Sequence, residues 1–291
     1  MIGAVVVLYH PEWDVTYRLI EKLQQQVDYV CLVDNSPHPN KVIRKSSKLS
    51  YSHFPENVGI ATAQNRGLEC LKHNGCRFGL IFDQDSHIQY DFVARMKAHF
   101  LSFRKNYSAA AIGPQIVCTY TNKARKPRIQ KSLKVIDDNI CIVPQIISSG
   151  MFLDLQQLQF IGLKKEGLFI DAVDHEWCWR AKDNGFHVAI ARNVEMLHRQ
   201  GDKKRSFMGV DYRVSSPVRL YYQFRNILLL RKYKYVPSYW KYRNICTMPI
   251  KFLAMTIVER NRVQRAKYMI LGIVHGLFGR QGKIDSPKRV G

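Results

Sequence analysis

Short apolar runs alternate with amphipathic segments through the first two thirds of the chain. The runs GAVVVLY and YVCLVDN enclose the segment WDVTYRLIEKLQQQ. Its apolar residues recur at helical spacing, at Val15, Leu19, Ile20 and Leu23. A second helix is predicted for GIATAQNRGLECLKHNG, which ends at Gly75, and the strand FGLIFDQD follows it. The pattern therefore predicts a β-α-β unit followed by further strands and helices.

The alternation continues to about residue 198. The strand AAAIGPQIV, a helix in EWCWRAKDNGF that ends at Gly185 and the strand HVAIARNVEMLH follow in order. Alternating strands and helices predict an α/β fold with a mostly parallel central sheet and helices on both faces. Ligands of such sheets bind beyond the carboxyl ends of the strands. The polar, basic segment TYTNKARKPRIQKS is predicted to be a loop.

Polar side chains follow three of the predicted strands, so we expect them to gather on one rim of the sheet. They are Tyr9 and His10, Asp34 and Asn35, and Asp83 and Asp85. In an extended segment Asp83 and Asp85 would point the same way and repel each other. Either one of them caps a helix that begins near Tyr90 and the other is solvated, or both hold a divalent cation whose shell is completed by substrate phosphates.

The composition is that of a globular protein. Of 291 residues, 46% are hydrophobic and 23% charged, which is enough for one sizeable α/β core. Seven Cys without a C-x-x-C pair indicate reduced thiols in a cytosolic setting, with no zinc site and no disulfide framework. The first residues, MIGAVVVLYHPEW, lack the basic segment of a signal peptide and predict a strand. No apolar run reaches about 18 residues, so no membrane-spanning helix is predicted.

Positive charge is concentrated at the end of the chain. Residues 199–291 hold 21 Lys and Arg against four Asp and Glu, which gives +17 of the total net charge of +22. We therefore divide the chain into an α/β domain, residues 1–205, and a basic helical region, residues 206–291. Such a region either binds an anionic partner, a nucleic acid or a membrane surface, or is a solvated basic face.

Two common nucleotide-binding motifs are missing from the sequence. There is no G-x-x-x-x-G-K-[ST], and no G-x-G-x-x-G follows the first strand, so neither a P-loop ATPase nor a dinucleotide oxidoreductase is supported. The segment ENVGIATAQNRG instead offers Asn57, Gly59 and Asn65. These residues form either a turn with a helix cap or a pocket for a base or a sugar.

Three acidic residues lie close together in FIDAVDHEWCWR. Asp171, Asp174 and Glu176 precede or adjoin Trp177. They can favour the N-terminus of a helix through its dipole. Alternatively, one of them is the general base for a sugar hydroxyl, since a carboxylate beside aromatic side chains at the edge of a cleft suits that role.

Seven motifs in a fixed order give the chain a resemblance to a known family. They are VVVLYHP, LVDNS, ENVGIATAQNRG, LIFDQDS, SSGMF, FIDAVDHEWCWR and LHRQG. Over residues 3–205 the chain resembles the inverting family 2 glycosyltransferases of the GT-A fold, and among them the bacterial rhamnosyltransferases of O-antigen and cell-wall polysaccharide assembly. The resemblance implies a Rossmann-like GT-A catalytic domain followed by the basic helical extension.

The resemblance implies a donor site and a metal site at the strand ends. Asp83 and Asp85 would hold Mn²⁺ or Mg²⁺ against the diphosphate of a nucleotide sugar, which Asp83 would also contact. His198 would be either a third metal ligand or a structural residue. Asp34 would meet the nucleotide base or ribose. The pocket around the nucleotide would be shaped by Tyr9, Asn57, Gly59 and Asn65.

The resemblance also assigns the catalytic base. The family's E-D-x-D-x-x-x-R segment, counted back from Arg180, places the base at Asp174, with Val173 where the family has Glu. Glu176, Trp177 and Arg180 would be acceptor-side or supporting residues. Asp174 would take the proton of an acceptor hydroxyl while the nucleoside diphosphate leaves from the opposite face of the sugar.

The resemblance favours transfer of L-rhamnose from dTDP-L-rhamnose to a lipid-linked saccharide, by a cytoplasmic enzyme peripheral to the inner face of the cell membrane. One alternative is the same reaction with a UDP-sugar. Another is a nucleic-acid-binding protein, favoured by the Arg, Lys and Tyr of LYYQFRNILLLRKYKYVPSYWKYR; no known module for nucleic acid is present, and no such partner is expected. The membrane contact, or else a packing face, would use Phe252, Leu253, Met255, Ile257 and Val258.

Overall fold

The computed structural model describes residues 1–40, 46–118, 123–124, 133–198 and 204–284. These residues divide into two compact units. The described parts of Met1–Asn57, Ala63–Lys164 and Asp174–Gly201 form the first unit, and those of Val58–Thr62, Lys165–Val173 and Asp202–Gly291 form the second. The predicted loop TYTNKARKPRIQKS lies outside the described residues except for a two-residue strand.

The first unit is built on a sheet of ten strands within the described residues. In chain order these are β1 Ile2–Leu8, β2 Tyr29–Asp34, β3 Leu49–His53, β4 Phe78–Asp83, β5 Ala109–Cys118, β6 Lys123–Ala124, β7 Lys134–Val135, β8 Ile140–Val143, β9 Met151–Asp154 and β10 His187–His198. Their order across the sheet is β3-β2-β1-β4-β9-β5-β10-β8-β7, and β6 pairs with β5. The strands β3, β2, β1 and β4 are parallel, as the alternating pattern predicts.

Helices cover both faces of this sheet. They are α1 Trp13–Gln24, α2 Ile60–His73, α3 Phe92–Asn106, the short α4 Leu158–Ile161 and α5 Val173–Asp183. Ala4 and Val6 of β1 share a core with buried apolar residues of α1 and α3. Leu71 of α2 instead lies against Gly3. Because successive strand residues point to opposite faces, α2 lies on the other side of the sheet, and the predicted layering is confirmed.

The other half of the sheet is mixed in direction. The strand β9 lies between β4 and β5 and is antiparallel to both, whereas β10 is parallel to β5. The strand β8 is antiparallel to β10, and β7 to β8. The sequence did not predict this arrangement, because the short, fully buried run Met151–Asp154 carries no signal of strand direction.

Two of the cysteines are joined, contrary to the expectation of reduced thiols. Cys31 of β2 and Cys70 of α2 form a disulfide with their Cα atoms 6.7 Å apart. The two residues are 39 positions apart in the sequence, so no local spacing marked them as a pair. They meet because α2 packs beside this edge of the sheet, where Ser50 Oγ of β3 also lies 3.2 Å from Cys70 Sγ.

Among its described residues the second unit contains a β-hairpin and three α-helices of 14 to 16 residues. The elements are β11 Lys204–Phe207, β12 Val210–Arg213, α6 Pro217–Leu230, α7 Ser238–Leu253 with a π-helical turn Ala254–Val258, and α8 Arg262–Leu277. Gly272 of α8 lies against α6, where a Cβ atom would be 2.5 Å from the carbonyl oxygen of Tyr221. At Gly276 a Cβ atom would be 2.8 Å from Cβ of Leu228. Both glycines therefore let α6 and α8 pack closely.

Candidate active site

The two acids of the D-x-D motif are placed by a turn. Strand β4 ends at Asp83, and the N–H of Ser86 donates to the carbonyl oxygen of Asp83 over 3.1 Å. The expectation of an extended Asp83–Asp85 pair is therefore wrong. The residue before α3 is Asp91, so neither acid of the motif caps that helix. Asp83 accepts a hydrogen bond from the hydroxyl of Ser149, and both Asp83 and Asp85 are partly exposed.

The segments that follow β1 and β4 are joined at this rim. The N–H of Tyr9 donates to Gln84 Oε1 over 2.7 Å, and Gln84 Nε2 donates to the carbonyl oxygen of Tyr9 over 3.1 Å. A β-bridge also joins His87 to Leu197, next to the end of β10. The Tyr9 side chain is exposed, as a residue that shapes a ligand pocket must be. The strand ends thus meet as predicted, and the contact of Tyr9 with a nucleotide stays a prediction.

Asp34 is fully buried at the end of β2, and its carboxylate accepts hydrogen bonds from three neighbouring residues. Its carboxylate accepts from the N–H of Ser36 over 2.8 Å, from the hydroxyl of Tyr51 over 2.7 Å and from the amide of Asn40. Burial, together with the Asp34 carboxylate, raises the pKa of Tyr51 to about 12, so its hydroxyl remains a donor. Ser36 Oγ accepts in turn from the N–H of His10 over 2.9 Å. The predicted contact of Asp34 with the nucleotide stays a prediction.

The metal prediction rests on two carboxylates. Within the described ranges, no three or more His, Cys, Asp or Glu side chains are arranged to hold a metal ion. His198 is the last residue of β10, but its side chain is not among those described, so its predicted role stays a prediction. The oxygens of Asp83 and Asp85 nevertheless fit a hard divalent cation, because Mg²⁺ commonly takes one or two carboxylates together with substrate phosphates.

Gly59 allows two backbone segments of the second unit to meet. Its φ is +87°, and a Cβ atom would lie 2.6 Å from the carbonyl oxygen of Phe169. The N–H of Ile60 donates to the same oxygen over 2.8 Å. Asn57 belongs to the first unit and is half-buried. The contacts of Asn57 and Gly59 with a nucleotide stay predictions.

Asn65 holds the backbone of Lys164. Its Nδ2 donates to the carbonyl oxygen of Lys164 over 2.9 Å, and its Oδ1 accepts from the N–H of Lys164 over 2.9 Å. Asn65 is 2% exposed, and this paired bond satisfies both ends of its amide. Asn65 therefore acts on the site by positioning Lys164, while its predicted place in a nucleotide pocket stays a prediction.

Asp174 lies in the first turn of α5 with 25% of its side chain exposed. Its Oδ1 accepts from Lys164 Nζ over 2.7 Å and from the hydroxyl of Ser148, and its Oδ2 accepts from the N–H of Ser148 over 2.9 Å. Burial alone would raise the pKa of Asp174. The charge of Lys164 and these hydrogen bonds outweigh burial, so the pKa of Asp174 is lowered and the group is a carboxylate.

The helix that carries Asp174 is anchored to the segment before Lys164. Glu176 is fully buried and pairs with Arg180 through two bonds of 2.8 and 3.0 Å. Arg180 Nη2 also donates to the carbonyl oxygen of Leu163 over 2.8 Å, and Trp177 Nε1 donates to that of Gly162 over 3.0 Å. The contacts of Glu176, Trp177 and Arg180 stabilise the start of α5, and their predicted acceptor-side or supporting role stays a prediction.

Sequence reasoning missed three residues of this site. Ser148 and Ser149 belong to the motif SSGMF, which supported the resemblance but suggested no role for them. Lys164 is one of two adjacent lysines, and nothing local shows which of them is buried. Only the fold brings Ser148 and Lys164 to Asp174 and Ser149 to Asp83.

Comparison with known proteins adds independent evidence. The profile of Glycosyl transferase family 2 matches residues 4–154. The dTDP-rhamnosyl transferase RfbF of Shigella flexneri is 29% identical over an alignment of 290 positions that covers 97% of each chain. The structure of S. aureus TarS 1–349 in complex with UDP-GlcNAc is similar with a TM-score of 0.57 and 14% identity, over 94% of this chain and 81% of TarS 1–349.

A second structure, GalNAc-T7 with UDP, GalNAc and Mn²⁺, is similar with a TM-score of 0.55 and 13% identity, over 84% of this chain. This chain spans 54% of the GalNAc-T7 chain. Likeness at this identity shows the fold, and the predicted GT-A fold is confirmed. A basic nucleic-acid-binding protein is not favoured. Because the family profile covers half of the sequence and the sheet has the matching architecture, the chain belongs to glycosyltransferase family 2.

Proposed function

We propose that the chain transfers L-rhamnose, with inversion, from dTDP-L-rhamnose to a saccharide hydroxyl of a lipid-linked intermediate. The observation that carries this proposal is the 29% identity to a dTDP-rhamnosyl transferase along 97% of both chains, the helical second unit included. The TarS structure holds UDP-GlcNAc, but at 14% identity the likeness does not choose a donor. Transfer from a UDP-sugar is the second candidate.

In this proposal Asp174 is the general base. Its Oδ1 accepts two side-chain donors, whereas its Oδ2 accepts the N–H of Ser148. A carboxylate oxygen has two lone pairs, so Oδ2 has capacity for the hydroxyl of the acceptor sugar. Lys164 and Ser148 fix the orientation of the carboxylate. A carboxylate of lowered pKa can serve as the base when proton transfer is concerted with attack on the anomeric carbon.

We propose that Asp83 and Asp85 hold Mn²⁺ or Mg²⁺ next to the donor diphosphate. The ion would supply Lewis-acid stabilisation of the charge that develops on the leaving diphosphate. Ser149 donates to Asp83 and so fixes the direction of that carboxylate. His198 is the proposed third ligand, while Tyr9, Asp34, Asn57, Gly59 and Asn65 are the proposed residues around the nucleotide.

The lipid-linked acceptor implies a membrane contact, which we assign to the outer face of α8. The face toward α6 holds buried residues, among them Met269 and Gly272. The opposite face exposes apolar side chains at helical spacing, namely Val263 (84% exposed), Ile270, Val274 and Leu277, followed by Phe278 (86% exposed). Met255, predicted to belong either to a membrane contact or to a packing face, lies in the core of the second unit, whereas Leu253, Ile257 and Val258 are exposed.

The charge of the second unit supports an anionic membrane as the occupant of this face. Arg262 and Lys267 are exposed on the same helix, in a region with 21 Lys and Arg against four acids. Apolar and basic side chains together fit the interface of a bilayer with anionic lipids. No helix in the described part of the chain has the length and apolar character to cross a bilayer. We therefore propose peripheral binding at the cytoplasmic face of the cell membrane.

The donor is tested by turnover of a panel of nucleotide sugars. Purified protein with Mn²⁺ should release nucleoside diphosphate fastest from dTDP-L-rhamnose, and chelation should stop the release. Asp85→Asn should stay folded but lose this release, and dTDP should no longer raise its unfolding temperature in the presence of Mn²⁺. Faster turnover of a UDP-sugar would show that the donor is not dTDP-L-rhamnose. Turnover that persists in chelator would show that the reaction does not require a divalent metal ion.

The membrane contact is tested by sedimentation with vesicles of phosphatidylcholine with or without phosphatidylglycerol. We expect binding only to the anionic vesicles, reversed by high salt, because each basic residue near the surface contributes about 1 kcal/mol. Ile270→Glu should weaken the binding. Leu101→Glu, at an exposed position of α3 in the first unit, is the matched control and should bind normally. Equal binding to neutral vesicles, or equal loss in both variants, would refute the assignment.

A further inference from the structure

The segment 165–173 is an excursion of the chain that begins and ends at the candidate base. It leaves the first unit after Lys164 and returns at Asp174. These two residues form the ion pair described above, with Lys164 Nζ 2.7 Å from Asp174 Oδ1. The ion pair therefore joins the two ends of the segment, and one of its partners is the proposed base. The backbone conformation of the segment determines the direction in which the chain enters α5.

The end of this segment has an unusual backbone. Phe169, Asp171 and Ala172 have φ values of +64°, +67° and +63°. None of them is glycine, and residues with a side chain seldom adopt the left-handed region. Such conformations cluster at functional sites and persist only where the surrounding structure holds them. Three of them within four residues, directly before α5, require a specific support.

Helix α6 provides that support through one amide. The two N–H groups of Asn226 Nδ2 are shared among three carbonyl oxygens of the segment, with N···O distances of 3.0 Å to Leu168, 2.8 Å to Ile170 and 3.0 Å to Asp171. Asn226 is 1% exposed. The three acceptors flank or belong to the left-handed residues, so a single buried side chain holds the carbonyl directions that this conformation requires.

Neighbouring residues of α6 add to the same support. Arg225 Nη2 donates to the carbonyl oxygens of Gly167 over 3.0 Å and Leu168 over 2.9 Å. The ring of Tyr222 stacks on that of Phe169 with centroids 4.7 Å apart. Arg219 forms an ion pair of 3.0 Å with Asp171. Side chains of one helix therefore hold the segment along its length, and all of these contacts lie within the second unit.

We propose that Asn226 is a positioning residue for Asp174. By holding the carbonyl groups of Leu168, Ile170 and Asp171, it fixes the left-handed backbone from which Asp174 enters α5, and so it orients the Asp174 carboxylate for the acceptor hydroxyl. The proposal rests on the proposed function, in which Asp174 is the base. Without this support the backbone before α5 relaxes and Asp174 shifts relative to Lys164 and Ser148, although neither of those residues is changed.

The first test is Asn226→Ala, assayed by release of dTDP from dTDP-L-rhamnose. We expect kcat to fall by about 10- to 100-fold, as for other small displacements of a catalytic group, while KM for the donor is unchanged. Gln223→Ala is the matched control, because Gln223 lies on the same helix and donates to Ser215 Oγ outside the segment. An equal loss of kcat in Gln223→Ala, or a normal kcat in Asn226→Ala, would overturn the proposal.

A second pair of variants changes the segment and leaves α6 intact. Ala172→Val places a β-branched side chain at φ +63°, where it is strongly disfavoured, and should lower kcat as Asn226→Ala does. Ala172→Gly favours that φ and should restore part of the kcat when added to Asn226→Ala. If Asp174→Asn is inactive but Ala172→Val has a normal kcat, the positioning role is wrong. If Asp174→Asn itself keeps normal turnover, the assignment of the base is what fails.

Discussion

Lys164 and Asp174 form an ion pair whose side chains are 2% and 25% exposed. Burial alone would raise the pKa of Asp174, and the charge of Lys164 opposes this effect, so the carboxylate stays charged. Asn65 fixes the backbone of Lys164 on one side, and Arg180 and Trp177 fix the segment just before it on the other. At the residue scale, Asp174, the proposed base, is therefore held by a connected set of buried groups.

Replacing Lys164 by Met should move the acid limb of the pH–rate profile. In the native protein the pKa of Asp174 is lowered, so activity is retained below the pH at which an ordinary carboxyl is protonated, and is lost as pH falls through the lowered pKa. Without Lys164 only the hydrogen bonds of Ser148 oppose the effect of burial, so the pKa of Asp174 should rise and the limb should shift to higher pH. Initial rates across the acid range measure the shift.

Lys165→Met is the control for this substitution. Lys165 lies over the ring of Tyr233, with Nζ 3.7 Å from its centroid, so its removal should leave the acid limb in place. A limb that stays unchanged in Lys164→Met, or moves to lower pH, would show that Lys164 does not set the charge of Asp174.

The acids of the site were visible in the sequence, but their partners were not. Asp83, Asp85 and Asp174 follow a strand or begin a helix, and those positions depend on local patterns. The partner of Asn65 is 99 residues away in the sequence, and its bond to Lys164 exists only after the fold has formed. Local periodicity has no information on such pairs, so the donors around each carboxylate had to come from the structure.

At the scale of elements, the contact of α6 with α8 offers a test in which two effects oppose each other. Gly272→Val improves the intrinsic helix propensity of α8 by a few tenths of a kcal/mol. Its side chain would nevertheless collide with the carbonyl oxygen of Tyr221, which lies 2.5 Å from the expected Cβ position. Because overpacking typically costs about 1 to 3 kcal/mol, the free energy of unfolding should fall.

The matched control for Gly272→Val is Leu277→Val, which places the same residue on the exposed face of α8. It should change the unfolding midpoint in urea by much less than Gly272→Val does. A midpoint that rises in Gly272→Val would mean that propensity outweighs packing and that the close approach of α6 and α8 is not required.

The strands and helices of the first half of the sheet were predictable from the sequence. Buried parallel strands are short continuous apolar runs, whereas amphipathic helices repeat their apolar residues at helical spacing. Helix α1 lies where the periodicity indicated, and α2 and α5 end two residues before Gly75 and Gly185, the glycines that were expected to end them. The antiparallel strand β9 did not follow, because its direction is set by pairing with β4, about 70 residues earlier. Pairing over that distance leaves no local pattern.

At the scale of the whole molecule, the excess of positive charge overstates the basic surface. Arg225 and Arg265 are buried and donate to backbone oxygens, while Arg205 and Arg219 pair with Glu259 and Asp171. These cations stabilise the second unit and are not free to attract a membrane. The salt dependence of vesicle binding should therefore reflect fewer charges than the +17 counted from residue 199 onward.

We propose that this family 2 glycosyltransferase uses Asp174 as the base and that Glu176 stabilises the helix that carries Asp174. The direct measurement is single-turnover transfer from dTDP-L-rhamnose by Asp174→Asn and Glu176→Gln, each first shown to be folded and to bind dTDP with Mn²⁺. Asp174→Asn should lose about 10²- to 10⁴-fold in rate, since an amide cannot accept the hydroxyl proton. Glu176→Gln breaks a buried pair with Arg180 and should lose stability, while its folded fraction transfers at a near-native rate. Fast transfer by Asp174→Asn together with an inactive but folded Glu176→Gln would show that Asp174 is not the base.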